Sequence, residues 1–338
     1  MSHCFLCGEL LEPANRTDEH VFPTWLQNSA SLWNQEIVLL NRTSIPYGNL
    51  KIPCCHECNT GPLSEIEREV SSAFGEGYNA VAGLQKERLW QWCSKILYGI
   101  LFRELSLLFD RSSPEEGSIL DPEMMEPYWT QHLFLQSIRL PFEFVGFVPY
   151  SLFLVQTHTY GEPQVNFDYL DTSLVFYPKE GVYRNYPSMA IRFNGIGVIC
   201  IVEDNGAQQE FMSDEYERYE GLPLHPVQFV ELATMAMYKN TLLAYIPHYT
   251  TAQDQTTGAC RVLWHRPHEP YVWRDWDNEQ YAQVLAARLR ESSFIEDFQA
   301  SDVSVGNGRT LTFLRNPDDS VPRYEPYTRL RISPQTGS

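Results

Sequence analysis

Cys4-Phe5-Leu6-Cys7, Asp18-Glu19-His20 and Cys54-Cys55-His56-Glu57-Cys58-Asn59 fall within the first sixty residues, and reading them together decides the fold of the amino-terminal part. Two Cys-x-x-Cys pairs at this separation read as one tetrahedral zinc site, because each x-x spacing presents two sulfurs on one side of a tight turn. Four sulfurs close the site, so the metal is structural and has no open position for water. A redox Cys-x-x-Cys needs only one pair. Cys54 is within reach of Cys58 as an alternative to Cys55, although the two-residue spacing favours Cys55.

The segments around the cysteines give the module its expected shape. Cys4 to Cys7 forms a tight turn closed by Gly8, and Glu19-His20-Val21-Phe22 is a short strand. Asn49 to Pro53 leads into the second cysteine turn. Pro62 then suits the first turn of a helix that carries Leu63, Ile66 and Val70 on one face. Folded on itself, this order is a ββα unit pinned by zinc. A unit this small buries little surface, and structural zinc supplies on the order of 10–16 kcal/mol of apparent binding energy. The metal therefore decides whether the unit folds.

Glu19, His20 and Asn59 are the candidate chemical groups. A carboxylate and an amide oxygen suit Mg2+ or Mn2+, and an imidazole is suited to taking a proton from an attacking water. The bound ion would polarise a phosphate. Neighbours in a strand point to opposite faces, so Glu19 and His20 share a pocket only near a strand end or bulge. A lone Glu-His pair is ordinarily a packed histidine beside a solvated acid. Inside the cysteine frame the hydrolytic reading takes precedence.

The arrangement resembles the HNH, or ββα-metal, endonucleases, especially those tied by two Cys-x-x-Cys turns like the phage recombination endonuclease VII group. The resemblance implies zinc on Cys4, Cys7, Cys55 and Cys58. It implies a catalytic divalent ion on Glu19 and Asn59, with Asp18 available to share that duty, and His20 as general base. Asn49 matches the middle Asn that orders the loop and the histidine in this family, one residue further from the second cysteine pair than the commonest spacing. The implied reaction is hydrolysis of DNA phosphodiesters to 5′-phosphate and 3′-hydroxyl ends, with RNA as the alternative substrate. The resemblance covers about the first seventy residues.

Composition departs from that family. The 338 residues carry a net charge of −18, and a strong phosphate binder normally shows a basic stripe. Residues 1–70 hold only Arg16, Arg42, Lys51 and Arg68 as basic side chains. A bound divalent ion inverts the local field, so the charge does not exclude a nuclease. It predicts weak, salt-sensitive substrate binding or help from a partner or second subunit. Met1-Ser2-His3-Cys4 shows no basic region followed by an apolar one. The apolar run Ile196–Val202 is far too short to span a bilayer. A soluble, cytoplasmic protein is the expectation, with a structural zinc rather than disulfides.

The rest of the chain reads as a larger mixed α+β domain, residues 76–338, beside the module of residues 1–75. A long amphipathic helix is expected over Leu84–Phe109 and another over Asp121–Leu140, with a hinge at Gly75–Gly83. Strands are expected over Phe144–Thr159, Val165–Tyr177, Met189–Glu203 and Gln208–Ser213, with turns at Asn194-Gly195 and Asn205-Gly206. Helices follow over Pro226–Ala244 and from the Asp277 cap to Arg290, and a last hairpin turns at Asn307-Gly308. No motif assigns this domain a chemistry. Joined to a nuclease, it would sense a ligand, a protein partner or an oligomeric state, as in bacterial anti-phage or restriction effectors, and a homo-oligomer is expected. The rival from another class is a zinc-stabilised binding or scaffold protein without catalysis.

Overall fold

Gly8 takes a left-handed φ of 75°, and its N–H donates to the Cys4 carbonyl at 3.0 Å, closing the first cysteine turn as its sequence demands. In this computed structural model the described residues are 2–105, 107–108, 112–118, 126–177, 182–244, 247–269, 271–290, 292, 294–296, 303, 312–326 and 329–331. The chain is a mixed α+β protein of two units. The first comprises Met1–Phe147, Ser173–Pro187 and Tyr249–Trp264; the second comprises Val148–Thr172, Ser188–His248 and His265–Ser338. Residues 1–75 thus share their unit with the segment that follows. Among the described residues no helix is long and apolar enough to cross a membrane.

In the first unit, strand β1 (Arg16–His20) pairs antiparallel with β4 (Lys51–Cys55), Arg16 opposite Cys55 and His20 opposite Lys51. The intervening chain forms α1 (Thr24–Ser29) and a separate ribbon of β2 (Glu36–Val38) and β3 (Ser44–Pro46). Beyond β4 come α2 (His56–Cys58) and an irregular turn, Asn59–Leu63, in which Gly61 leaves helical dihedrals at φ −95°, ψ −107°. Helix α3 (Ser64–Glu76) then buries Ile66, Val70, Ala73 and Phe74, a spacing that makes one continuous face. It stops at Gly77, whose φ is 101°, a conformation cheap only for glycine. The segment expected as a hinge is therefore a helix cap followed by α4 (Tyr78–Gly83).

Helix α5 (Lys86–Glu104) is the centre of this unit. Trp90, Trp92, Cys93, Ile96 and Leu97 are buried along it, and Trp92 stacks on Trp25 of α1 with ring centroids 6.1 Å apart. A Cβ at Gly99 would meet Val21 at 3.1 Å and Ile52 at 3.3 Å. The missing side chain is what lets α5 lie directly on the β1–β4 pair. Helix α6 (Glu126–Leu135) covers the first cysteine turn, with His132 Nε2 3.1 Å from the carbonyl oxygens of Phe5 and Leu6. Strand β5 (Phe142–Val145) completes a sheet in the order β10-β11-β5 with β10 (Tyr249–Gln253) and β11 (Cys260–Trp264).

The second unit is built on the sheet order β6-β9-β8-β7, with β6 (Ser151–Gln156), β7 (Asp168–Tyr177), β8 (Val182–Phe193) and β9 (Ile196–Ile201); Ser173–Tyr177 and Val182–Pro187 belong to the first unit. Asn194 and Gly195 have φ of 49° and 79°, the pair of left-handed residues that a tight β8–β9 hairpin requires. Helix α9 (Pro226–Thr241) lies over β9, where Phe229 leaves no room for a side chain at Gly197. Helix α10 (Asn278–Leu289) is capped by Asp277, which accepts from the N–H groups of Glu279 and Gln280. Strands β12 (Ile295–Glu296) and β13 (Leu330–Arg331) pair in parallel, which holds the chain at Leu330–Arg331 to the segment after α10.

Two expectations change. Gln208–Ser213 is not a strand: α7 (Ala207–Phe211) and α8 (Ser213–Glu217) occupy it. Asn205 and Gly206 do take positive φ, but the turn ends in a helix because the buried Asp204 carboxylate accepts from Gly206 N–H at 3.0 Å and Gln208 N–H at 2.9 Å. The expected Phe144–Thr159 strand divides at Gly146, whose φ is 76°, into β5 and β6. The start of the Asp121–Leu140 helix at Pro122 and the hairpin turn at Asn307-Gly308 lie outside the described residues.

Candidate metal centre and the adjoining histidine

The two cysteine turns meet. The ligand atoms of Cys4, Cys7, Cys55 and Cys58 all lie within 4.8 Å of one another, and among the described residues they are the one group of cysteine, histidine and carboxylate side chains that converges in this way. Cys7 Sγ and Cys55 Sγ are 3.7 Å apart. Zn–S bonds of about 2.3 Å in a tetrahedron place sulfurs about 3.8 Å apart, so the spacing fits a zinc ion. Local structure sets it up. Cys4 N–H donates to the Glu9 carbonyl at 2.8 Å, Phe5 N–H to the Pro53 carbonyl at 2.9 Å, and His56 N–H to the Asn15 carbonyl at 2.8 Å. These bonds bring both turns to one end of the β1–β4 pair.

Cys54 Sγ lies 3.8 Å from Cys4 Sγ, but it is not a member of the mutual group of four. Cys54 and Cys55 are neighbours in β4 and point to opposite faces; the spacing argument for Cys55 agrees with the geometry. Hydrogen bonds from Cys54 and Cys58 hold the Cys4 thiol far below its ordinary range, and burial pushes Cys55 up to about 11. Cys4, Cys7, Cys55 and Cys58 would hold a divalent ion such as zinc as thiolates, giving up their protons on binding it.

Glu19 and His20 are brought to the same strand and opposite faces. The Glu19 carboxylate points inward and meets Lys95 of α5, with Nζ 2.5 Å from Glu19 Oε1 and 2.8 Å from Glu67 Oε1. The same ammonium donates to the backbone oxygens of His20 at 2.7 Å and Val21 at 3.2 Å. Lys95 is fully buried; burial alone would lower its pKa, but Glu19 and Glu67 outweigh that and hold the proton. Burial pushes the Glu19 carboxyl upward against the pull of Lys95. Asn59, on the Thr17 side of the strand pair, donates through Nδ2 to Thr17 Oγ1 at 3.0 Å. The Glu19 carboxylate is thus engaged by Lys95 and the Asn59 amide by Thr17. Asp18, on the His20 face, is half-exposed and paired at 3.6 Å with Arg16.

His20 closes β1 and is part-buried. Its Nδ1 lies 3.3 Å from Gln27 Nε2, and its ring meets Trp33 edge-on at 5.5 Å. Gln27 Nε2 also donates to the Phe22 carbonyl at 2.6 Å; turning the amide over would put two oxygens face to face. Gln27 is therefore the donor, His20 Nδ1 the acceptor, and the neutral ring carries its proton on Nε2. Burial first, then Lys51 and Lys95, lower the His20 pKa, while Glu67 and Asp18 oppose them. Asn49 ends the short turn Tyr47–Asn49 and is exposed; among the described residues no hydrogen bond joins it to His20.

Lys95, Glu67 and Gln27 were not singled out from sequence. Lys95 had a signal: it is the one charge set among Trp92, Cys93, Ile96 and Leu97 on a buried face. Comparison of the chain with protein-family models, with curated proteins and with solved structures found no match.

Proposed function

We propose that the chain is an endonuclease that hydrolyses phosphodiester bonds of DNA, with His20 as the group that handles the proton of the attacking water. The observation that carries this reading is the placement of His20. It ends a strand locked by the four-cysteine group, its ring is kept neutral by burial and by Lys51, and a neutral imidazole is the form that accepts a proton. Attack requires His20 Nδ1 to exchange Gln27 for water, a change of one hydrogen bond. Gln27 is then a positioning residue that holds the ring between turnovers. Zinc on the cysteines serves the fold alone.

The divalent ion of the ββα-metal enzymes belongs to this proposal through the resemblance of sequence. Glu19 would have to part from Lys95 to bind it, so no step here depends on that ion. We read the second unit as the part that senses a ligand, a partner or a second copy of the chain. The rival reading, a zinc-stabilised binding protein, is favoured by one observation: Glu19 and Glu67 are both committed to Lys95.

Plasmid nicking by the purified, zinc-loaded chain, with Mg2+ or Mn2+ added, tests the reading. The expected outcome is conversion of supercoiled to nicked circles by the wild type and a loss of about 100-fold or more in His20→Ala. Equal rates in the two proteins would remove His20 from the chemistry. Silence of the wild type with either ion would favour the binding protein, and cleavage of RNA alone would change the substrate.

A further inference from the structure

Trp33 stands in the loop between α1 and β2 and is 38% exposed. The other aromatic side chains of residues 2–75, Phe5, Phe22, Trp25, Tyr47 and Phe74, are buried or partly so. The indole is fixed at both ends. Its Nε1–H donates to Asn28 Oδ1 at 2.7 Å, and its six-membered ring lies against the buried Gly48, where a Cβ would be 2.6 Å from Cε3 and 3.2 Å from Cζ3. The backbone that carries it is pinned as well. Ser31 takes a left-handed φ of 55°, Leu32 is wholly buried, and Leu32 N–H donates to the Gln27 carbonyl at 2.9 Å. Ordering a loose surface side chain weakens binding, and here that ordering is completed by folding.

The same loop serves His20. The Trp33 and His20 rings meet edge to face, with centroids 5.5 Å apart and planes at 87°. Gln27 ties the two together: its side-chain amide donates to His20 Nδ1 at 3.3 Å, and its backbone carbonyl anchors the Trp33 loop. A rigidly held, exposed indole thus touches the group assigned to the attacking water. A phosphate at His20 carries a base one sugar away, and the indole offers that base a flat apolar surface. Stacking of this kind accepts any base. It draws little on charge, so it supplies affinity that basic side chains do not in a chain of net charge −18.

We propose that Trp33 is a stacking platform for an unpaired base of single-stranded DNA, and that the phosphate adjoining this base lies at His20. The proposal rests on the hydrolase reading for its substrate and adds the form in which that substrate is held. In a duplex the faces of each base are covered by its neighbours, so a base stacks on protein only after it leaves the stack. A strand that is already single meets no such cost. The chain therefore prefers single strands, and it nicks a supercoiled circle where the duplex opens locally. Trp33 sets this preference without reading sequence.

Fluorescence anisotropy of the full, zinc-loaded chain, without Mg2+ or Mn2+, tests it on three fluorescein-labelled probes of about 12 nucleotides. These are a single DNA strand, its duplex with the complement, and a strand of abasic sugars on the same phosphodiester backbone. The wild type is expected to bind the single strand about tenfold or more tighter than the other two. Trp33→Ala is expected to raise the single-strand Kd about tenfold or more and to leave the abasic Kd unchanged, and Trp33→Phe to regain much of the loss. A tryptophan that only shielded His20 would alter all three probes alike. Should Trp33→Ala lose its zinc, the comparison of Trp33→Phe with the wild type across the probes decides. Trp129→Ala, at a more exposed tryptophan of the same unit, is expected to bind as the wild type. Absence of wild-type binding to the single strand, an equal loss of Trp33→Ala on the abasic strand, or an equal loss in Trp129→Ala would each overturn the proposal. Tighter binding of RNA than of DNA of the same sequence would overturn the commitment to DNA. A Trp33→Ala protein that binds and nicks like the wild type would sink the platform and leave the hydrolase standing. Binding that depends on Trp33, with no nicking by the wild type under either ion, would do the reverse.

Discussion

Lys95 Nζ lies 2.5 Å from Glu19 Oε1, and this contact joins the middle of α5 to the inner face of β1 at a place almost closed to water. The ammonium answers two carboxylates and two backbone carbonyls at once. Removing one partner of such a set leaves an uncompensated buried charge, which costs about 3–5 kcal/mol.

Lys95→Met is therefore expected to lower the urea midpoint by a shift of that size, and Glu19→Gln with Lys95→Met to regain part of it. A single variant as stable as the wild type would show that the triad contributes nothing. The pH dependence follows from the raised Lys95 pKa. Folding holds this proton more tightly than the unfolded chain does. Its stabilisation is complete below the ordinary lysine value of 10.5 and is lost as pH rises beyond it toward the higher folded value. Denaturation midpoints measured across the alkaline range in wild type and Lys95→Met would show that difference closing.

Zinc content separates Cys54 from Cys55. The wild type is expected to hold one zinc per chain, released on titration with a thiol-reactive mercurial in the presence of a chromogenic chelator. Cys54→Ala keeps it, because Cys54 lies outside the converging group of four. Cys55→Ala and Cys58→Ala lose it, together with the order of the β1–β4 pair, since structural zinc carries on the order of 10–16 kcal/mol in small units. Full zinc in Cys55→Ala and none in Cys54→Ala would reverse the assignment.

The order of elements around the four cysteines was legible because cysteine spacing is a strong constraint and the turns beside it use glycine and proline where the backbone needs them. Asp277 and Asn194-Gly195 were legible for the same local reason. The inner partner of Glu19 was not, because Lys95 is separated from it by 76 positions and only packing brings them together. Gln208–Ser213 misread as a strand because its propensities lost to one buried carboxylate, Asp204, that organises the preceding turn. Face, more than identity, escaped the sequence at the site. Glu19 and His20 are adjacent, and strand alternation sends one to Lys95 of α5 and the other to Gln27 and Trp33.

The His20 pKa is lowered chiefly by burial, with Lys51 adding to it. If His20 is the base, cleavage rises with pH along a limb below the ordinary histidine value of 6.5 and is flat above it. Gln27→Leu removes the donor that fixes the ring and is expected to lower the rate about tenfold and stability by about 1–3 kcal/mol, the Phe22 carbonyl being left without its partner. Rate–pH profiles of wild type and Gln27→Leu check both statements. A limb centred well above 6.5 would point to a different group.

Gly197 tests the second unit on its own terms. It sits in β9 beneath α9, and a Cβ there would lie 2.6 Å from Phe229 Cε2 and 2.8 Å from Val155 Cγ2. Phe229 is wholly buried, so its ring has no open space to move into. The helix must lift, or the ring must leave its rotamer, and overpacking of this kind costs about 1–3 kcal/mol. Gly197→Ala is expected to lower the thermal midpoint, and adding Phe229→Leu to restore part of the loss by vacating the colliding edge. If Gly197→Ala alone left the midpoint unchanged, α9 would not lie on β9 as closely as described. If the double variant fell by the sum of the two single losses, the two positions would not share the contact that the geometry gives them.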